Sequence, residues 1–327
     1  MLPIKNKLKF VIHLIGPALF VFLLWRIDLR HFVSILGTIQ WSYIVVAVIF
    51  QILVFILKSE RWRAIISIFE KIKATHVLKA TMYGVLYALI TPARLGEGFK
   101  APLIKSETMS YGKAFLTILM DRLLDAITII LTGYFGLVYL HKSLGLSLKS
   151  LVLIAAGLIF SGAVCVVLVY WAQRSHQQES KVKIIARLCR YSRLVVDKIR
   201  LIIKTENFGR VFLLTNVLNT LAFAAYFLTI YFIALSLNLT VSFIFIVLCY
   251  SIIALLAVLP ISISGMGTRD VALIYFFGFL NISAEKAVAV SMLDLVLMHY
   301  GVLLLFFVFF GIRRIIRVRF WNKNIIM

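Results

Sequence analysis

Two short polar stretches interrupt an otherwise apolar chain, and their residue types suit the binding of an anion. The first is 91-TPARLGEGFKAPLIK-105 and the second is 260-PISISGMGTRD-270. Arg94 and Arg269 carry guanidinium groups, whose paired N–H donors match the oxygens of a phosphate. A helix that restarts after a break also favours anions, because its free N–H groups point at the break. The two stretches therefore predict a phosphate site, to which Lys100 adds a third cation.

Carboxylates follow each polar stretch inside the next apolar run. Asp121 and Asp125 are one helical turn apart and share a face, with Arg122 about 100° around the helix. Asp294 occupies the corresponding later run, which also holds His299, a residue typical of interhelical hydrogen bonding. Ionisable groups in such runs are costly and usually face a partner or a cavity. We expect their partners to be the arginines and lysines of the polar stretches.

Two interpretations of these charges stay open. In the first interpretation the charges are structural: Arg94 pairs with Asp121, and Arg269 pairs with Asp294. Lys100 and Lys105 would then only extend to the lipid headgroups. In the other interpretation the charges line a binding site. The candidate substrate-binding residues are then Arg94, Glu97, Lys100, Asp121, Arg122, Arg269, Asp270 and Asp294.

Prolines and small residues mark both stretches as breaks in helices. Lipid cannot hydrogen-bond the backbone groups that a break frees, so irregular backbone at membrane depth lies inside protein or beside a water-filled cavity. The sequence therefore predicts a polar cavity midway through a membrane. Its turns would be formed by Pro92, Gly96, Gly98, Pro260, Ser264, Gly265 and Gly267.

The composition indicates an all-α protein that crosses a membrane several times. Of 327 residues, 62% are hydrophobic and only 15% are charged, whereas soluble domains carry about a quarter charged residues. We treat residues 1–327 as one integral membrane domain. Six runs are long enough for full spans: 10–25, 41–57, 113–140, 149–171, 211–235 and 287–311.

Lysine and arginine concentrate in alternate connections, which assigns those connections and both termini to the cytoplasmic side of the cell membrane. They are the N-terminal segment, 58–75, 172–210 and the basic tail 312–327. Because these residues lie between apolar runs, the net charge of +22 does not indicate a nucleic-acid partner. The tryptophans near the ends of runs predict an interfacial aromatic belt: Trp25, Trp41, Trp62, Trp171 and Trp321.

The same orientation predicts that the two broken segments are re-entrant hairpins inserted from opposite sides. Residues 77–105 would enter from the cytoplasm and residues 241–281 from outside. Glu97 precedes Asp121 by 24 positions, and Asp270 precedes Asp294 by the same 24. Matching units of this kind are typical of an inverted-topology repeat.

Other signals are few. The basic stretch 181–204 repeats apolar residues at a helical period, which predicts a surface helix bound to anionic lipids of the inner leaflet. Three cysteines without paired spacing indicate neither a disulfide framework nor a zinc site. We expect no metal and no cofactor, since no ligand set, nucleophile–base pair or nucleotide loop is visible.

Four segments together resemble the lysylphosphatidylglycerol synthase transmembrane family, also called the flippase-like or UPF0104 family. They are 60-ERWRAI, 92-PARLGEGFKAPLIK, 121-DRLLDAI and 259-LPISISGMGTRDVAL. The resemblance covers essentially the whole chain and implies a stand-alone membrane domain without a soluble catalytic domain. It departs at Asp270, where glutamate is common. Family members include the membrane half of synthases implicated in moving a modified lipid between leaflets, and the membrane portion of some archaeal glycosyltransferases.

These observations favour a lipid translocase that binds an anionic phospholipid or a polyprenyl-phosphate headgroup in the polar cavity. Arg94 and Arg269 would bind the phosphate, and the carboxylates would hold the cations. Two alternatives remain: an intramembrane transferase in a lipid-linked glycan or aminoacyl-lipid pathway, and a membrane scaffold for a cytosolic partner.

Overall fold

The fold is a bundle of helices, seen in a computed structural model that describes residues 28–106, 109–157, 207–257, 267–304 and 306–308, with isolated positions 22, 25, 160 and 167. Within these ranges the chain contains helices and turns and no strand. The helices are α1 Leu29–Gly37, α2 Trp41–Ile66, α3 Ala74–Ile90, α4 Lys100–Leu103, α5 Tyr111–Leu140, α6 Leu148–Gly157, α7 Phe208–Ser236, α8 Phe243–Ala257, α9 Thr268–Gly278 and α10 Ala284–Val308. A 3₁₀ segment, Pro92–Phe99, joins α3 to α4, and residues Asp294–Gly301 of α10 form a π-helix.

Four described helices are long and apolar enough to cross a membrane: α2, α5, α7 and α10. They correspond to four of the six predicted spans. The predicted span 10–25 lies outside the described residues apart from two isolated positions, and 149–171 is described continuously only as far as Gly157. The surface helix 181–204 and the tail 312–327 also lie outside the described residues.

The outer face of α5 is apolar and exposed, as expected of a helix that contacts lipid. Leu123, Ile127, Leu131 and Phe135 follow one another at four-residue spacing, and each is about half exposed or more. Asp121 and Asp125 lie on the opposite, buried face. This division supports the interpretation of α5 as a spanning helix whose polar face points into the bundle.

The first broken segment folds back on itself. Helix α3 ends at Ile90, just before Pro92, because proline has no N–H to continue the ladder and restrains the residue before it. The returning chain lies along α3: the Gly96 N–H donates to Thr91 Oγ1 at 2.7 Å, and the ring Nε2 of His76 lies 2.7 Å from the Leu103 carbonyl oxygen. The predicted break is therefore observed, and it makes an antiparallel hairpin.

Gly96 is required at the tip of this hairpin by close packing. A methyl group there would collide with the backbone carbonyl of Tyr87 and lie 2.7 Å from Thr91 Oγ1. We expect Gly96→Ala to destabilise the protein by about 1–3 kcal/mol, since backbone cannot move aside as a side chain can. The measurement is the midpoint of thermal unfolding in detergent.

Gly98 provides the matched control for this prediction. An added methyl group at Gly98 meets no atom within 4 Å, so Gly98→Ala should stay within about 0.5 kcal/mol of the wild type. Equal effects of the two substitutions would contradict the observed packing of the hairpin tip.

The second broken segment also returns antiparallel. The ring of Phe245, near the start of α8, lies 6.3 Å from that of Phe277, near the end of α9. Gly267 precedes α9 with a φ of 79°, a left-handed conformation that favours glycine. Residues 258–266, which include the predicted turn residues Pro260, Ser264 and Gly265, lie outside the described residues.

The two hairpins begin at opposite ends of the bundle. Helices α2 and α7 pack along each other in opposite directions, since Gln40, just before α2, donates its backbone N–H to the carbonyl of Ser236, the last residue of α7, at 2.9 Å. The first hairpin follows the end of α2, and the second follows the end of α7. Each hairpin also packs against the long helix that follows the other: α8 against α5, and α3 against α10.

The prediction that Trp62 belongs to an interfacial aromatic belt is wrong. Helix α2 continues to Ile66, and it carries Arg61 and Trp62 into the protein interior, where both are fully buried. Trp62 therefore does not belong to an interfacial belt. By contrast, Trp41 at the start of α2 is 65% exposed.

Candidate functional site: two buried polar clusters

Six charged side chains form what we call the first polar cluster, between α2, the first hairpin and α5. Three are cations and three are carboxylates: Arg61, Lys100, Arg122, Glu97, Asp121 and Asp125. The cluster thus carries no net charge when all six are ionised. Buried charges are tolerated when they are paired and hydrogen-bonded, and this cluster meets that condition.

Arg61 is the centre of the first polar cluster. Its Nε donates to Asp121 Oδ1 at 2.8 Å, and its Nη1 donates to Asp125 Oδ1 at 2.6 Å. Nη1 also contacts Asn219 Oδ1 of α7, and Asn219 in turn donates to Thr128 Oγ1 at 2.6 Å. One fully buried guanidinium therefore ties α2, α5 and α7 together.

Lys100 brings the first hairpin into the cluster. Its Nζ lies 3.1 Å from Glu97 Oε2 and 3.5 Å from Asp121 Oδ2. The ammonium also lies 4.6 Å from the centre of the Trp62 ring, and the Trp62 N–H donates to Thr117 Oγ1 at 3.1 Å. Since Lys100 is only 2% exposed, it does not extend to a headgroup surface.

Arg122 is the most accessible member, with 29% of its side chain exposed. Its Nη1 donates to Glu97 Oε1 at 2.7 Å, and its Nη2 lies 2.9 Å from both Asp121 Oδ2 and Asp125 Oδ2. Its Nε is buried and donates to no partner within the described residues. Of the three cations in this cluster, Arg122 is therefore the one whose side chain is not almost wholly buried.

A second polar cluster surrounds Arg269 at the start of α9. Its Nη1 donates to Asp294 Oδ2 at 2.7 Å, its Nε to Ser291 Oγ at 2.8 Å, and its Nη2 to the Ser291 carbonyl at 2.8 Å. The Tyr226 hydroxyl donates to Asp294 Oδ2 at 3.3 Å. The Arg269–Asp294 ion pair is thus observed, and Asp294 and Ser291 together accept hydrogen bonds from all three nitrogens of the guanidinium.

Two further predicted site residues are Asp270 and Arg94. Asp270 is 1% exposed and accepts the Gly267 N–H at 2.8 Å, so it caps the N-terminus of α9 rather than pairing with Arg269. Arg94 lies in the 3₁₀ segment, and its side chain is outside the described part of the structure. Its contact with phosphate or with Asp121 stays a prediction.

Each half of the chain repeats one pairing. The first hairpin supplies Lys100 to Asp121 of α5, and the second supplies Arg269 to Asp294 of α10. In each pair the aspartate lies 24 positions after the carboxylate of its own hairpin. Sequence reasoning missed the central cation, Arg61, and the signal that could have indicated it is the pair of carboxylates on α5 that needs one.

The profile of the lysylphosphatidylglycerol synthase TM region matches residues 10–306. The chain belongs to this family. A UPF0104 membrane protein of Methanocaldococcus jannaschii is 26% identical over 317 residues, covering 90% of this chain and 91% of the relative. A UPF0104 membrane protein of Pyrococcus horikoshii is 23% identical over 311 residues, covering 88% of this chain and 91% of the relative. No solved structure matches the chain.

Membership of the lysylphosphatidylglycerol synthase TM family, together with four apolar helices, makes the chain a multi-pass membrane protein. Both polar clusters therefore belong to a domain in which charged groups are costly. Such groups typically mark pathways for substrates or ions.

Proposed function

We propose that this protein is a lipid translocase that carries a phosphate-bearing headgroup, of a phospholipid or a polyprenyl phosphate, past the first polar cluster. The observation that supports this most is the cluster itself, in which balanced, buried charges include one cation, Arg122, that is 29% exposed. A purely structural ion-pair network has no need of an accessible arginine. A site in which an incoming phosphate replaces an internal carboxylate needs an accessible arginine.

The shape of the bundle supports a transporter. Helix α3 has 17 residues, which correspond to about 26 Å. It is shorter than a hydrocarbon core of about 30 Å, as a helix of a re-entrant hairpin would be. Hairpins that begin at opposite ends, and that each pack on the other half's long helix, fit an inverted repeat of the kind that builds transporter sites.

Binding would proceed by exchange of partners at Arg122. A phosphate offers two oxygens in the arrangement that a carboxylate presents to a guanidinium, so it can replace Glu97. Lys100, 3.1 Å from Glu97, would then neutralise the released carboxylate. Arg94 of the hairpin tip would add a further donor, whereas Arg269 would have to leave Asp294 before it could bind phosphate.

An apolar groove supports a place for the lipid tails. It has a volume of about 460 Å³ and lies between α3 and the second half of α10. Its lining is almost wholly apolar and consists of Leu86, Val296, Leu297, Tyr300, Gly301, Leu303, Leu304 and Phe307. An acyl or prenyl chain held there stays in an environment like the bilayer interior.

The placement in the cell is part of this proposal. We infer a plasma-membrane protein with both termini in the cytoplasm, whose segment 181–204 binds anionic lipids of the inner leaflet. Transport would be driven by a gradient or by the lipid's own concentration difference, without covalent change to the lipid.

The test is a lipid-translocation assay with purified protein in proteoliposomes. Fluorescent phosphatidylglycerol in the inner leaflet becomes accessible to an impermeant quencher only after transfer to the outer leaflet. We expect transfer with the wild type, and loss of transfer with Arg94→Ala. A chemically altered lipid would instead indicate a transferase, and an absence of both transfer and chemistry would favour a scaffold.

A further inference from the structure

We propose that lysines at the base of the first hairpin form a binding site for the headgroup of an anionic lipid, separate from the first polar cluster. At this base the two legs of the hairpin begin and end side by side. Lys73 directly precedes α3, and the ring Nε2 of His76 lies 2.7 Å from the carbonyl oxygen of Leu103, the last residue of α4. Lys105 follows two positions later. Each leg therefore carries a lysine at the same end of the bundle.

A hydrogen bond joins the two connections that hold these lysines. Ser106 Oγ donates to Glu70 Oε2 at 2.6 Å. Lys71 and Lys105 are the sequence neighbours of the two bonded residues. The connection 67–73, which joins α2 to α3, and the connection that follows α4 therefore form one surface, and this surface carries three lysines.

The surface has an excess of positive charge. Lys71, Lys73 and Lys105 are exposed, and none of them forms an ion pair with a described residue. Glu70 is the one carboxylate among the described residues of the two connections. Lysines on unconnected loops would give only a diffuse attraction for anionic lipids. Here the hydrogen bond holds them on one surface, where they can act on the same headgroup.

The neighbouring helix α5 offers a surface for the lipid tails. Lys105 Nζ lies 4.6 Å from the centre of the ring of Tyr111, the first residue of α5. Tyr111 is 53% exposed, and Phe115, one turn later, is 56% exposed. These two residues begin the exposed apolar stripe that continues through Leu123 and Ile127. An acyl chain along this stripe puts its phosphate beside Lys105, so the surface fits a lipid better than a soluble anion.

This site lies apart from the accessible cation of the first polar cluster. Arg122 follows Tyr111 by 11 positions on α5, which corresponds to about 16 Å along the helix axis. A phosphate beside Lys105 therefore does not reach Arg122. By binding Lys73 and Lys105 together, it would hold both legs of the hairpin at the headgroup level.

Lipid binding is tested on the purified full chain in a neutral detergent. Short-chain phosphatidylglycerol is titrated while the midpoint of thermal unfolding is followed, since a ligand of the folded state raises this midpoint. The proposed function also places a phosphate at Arg122, so the titration is made in Arg122→Gln as well as in the wild type. Phosphatidylglycerol should raise the midpoint of both proteins. Phosphatidylcholine of equal chain length, whose headgroup has no net charge, should not.

A second probe separates a lipid from a soluble anion. Glycerol phosphate carries a phosphate but no tails, so it should bind at least about ten-fold more weakly than phosphatidylglycerol, because it buries no apolar surface on α5. Equally tight binding of glycerol phosphate would overturn the assignment to a lipid.

A triple variant in the Arg122→Gln background locates the site. It combines Lys71→Gln, Lys73→Gln and Lys105→Gln. The affinity for phosphatidylglycerol should fall by about 100-fold, since each lysine near the surface contributes about five-fold. The unfolding midpoint without lipid shows whether the variant folds, and we expect it to fold because all three side chains are exposed.

The matched control removes three positive charges from the opposite end of the bundle, where α5 ends and α10 begins. It combines Lys142→Gln, Lys149→Gln and Lys286→Gln. Its affinity should stay within about two-fold of the parent. The proposal is wrong if both triple variants bind phosphatidylglycerol equally well, or if phosphatidylcholine binds as tightly. Because no transport is measured, a protein that binds this lipid but transfers none would disprove the translocase and leave the site intact.

Discussion

Arg61→Leu is expected to lower the free energy of unfolding by about 3–5 kcal/mol, which is typical when one partner of a buried ion pair is removed. Asp121 and Asp125 lose their shared guanidinium, and α7 loses its link through Asn219. Both carboxylates remain buried, at 2% and 6% exposure. The measurement is the unfolding midpoint in detergent, together with the yield of monodisperse protein.

Arg63→Leu is the matched control, since it makes the same change two residues later on the same helix. Arg63 is 44% exposed and pairs only with Glu60 among the described residues, so its removal should cost less than about 1 kcal/mol. The double variant Arg61→Leu with Asp125→Asn returns the cluster to two cations and two carboxylates. It should recover part of the loss, and an Arg61→Leu protein as stable as the control would refute the central role of Arg61.

Arg122→Gln is expected to reduce the rate of lipid transfer by about 10- to 100-fold. A charge-assisted hydrogen bond to phosphate contributes about 1.5–3 kcal/mol, and about 1.4 kcal/mol corresponds to a factor of ten. Arg122→Lys should fall between the wild type and Arg122→Gln, because it keeps the charge and loses the two-pronged geometry. The measurement is the initial rate of transfer at equal amounts of reconstituted protein.

Lys113→Gln controls for the loss of one positive charge on α5, since Lys113 lies outside both polar clusters and its Nζ is 5.9 Å from the Phe69 ring centre. Its transfer rate should stay within about two-fold of the wild type, a difference of about 0.4 kcal/mol. Transfer by Arg122→Gln at the control rate would remove the phosphate-exchange step from the proposed function.

Local rules of sequence predicted the breaks and much of the pairing. Pro92 ends α3 because of its backbone chemistry, and the helical period puts Asp121 and Asp125 on one face. The Arg269–Asp294 pair followed from the cost of burying either group alone. The first two of these features depend on interactions that a short stretch of chain specifies by itself, whereas the ion pair joins two helices.

Other features depend on tertiary packing, and the sequence did not reveal them. Arg61 follows an apolar run, and in that position a cytoplasmic arginine and a buried one have the same local signature. Only the carboxylates 60 and 64 residues later distinguish them. The π-helix also gave no signal in the sequence, because the residue types at 294–301 are equally common in α-helices. Its wide turn is seen only in the structure, where it brings His299 close to Asp294.

The membrane potential exerts no net force on the first polar cluster. One charge that crosses the whole membrane changes in energy by about 2.3 kcal/mol per 100 mV, but three positive and three negative side chains that move together cancel this work. A motion that carries only these six side chains through the field is therefore electrically silent. Any voltage dependence of transport would then report the charge of the lipid headgroup and of cations outside the cluster, such as Arg94 of the first hairpin.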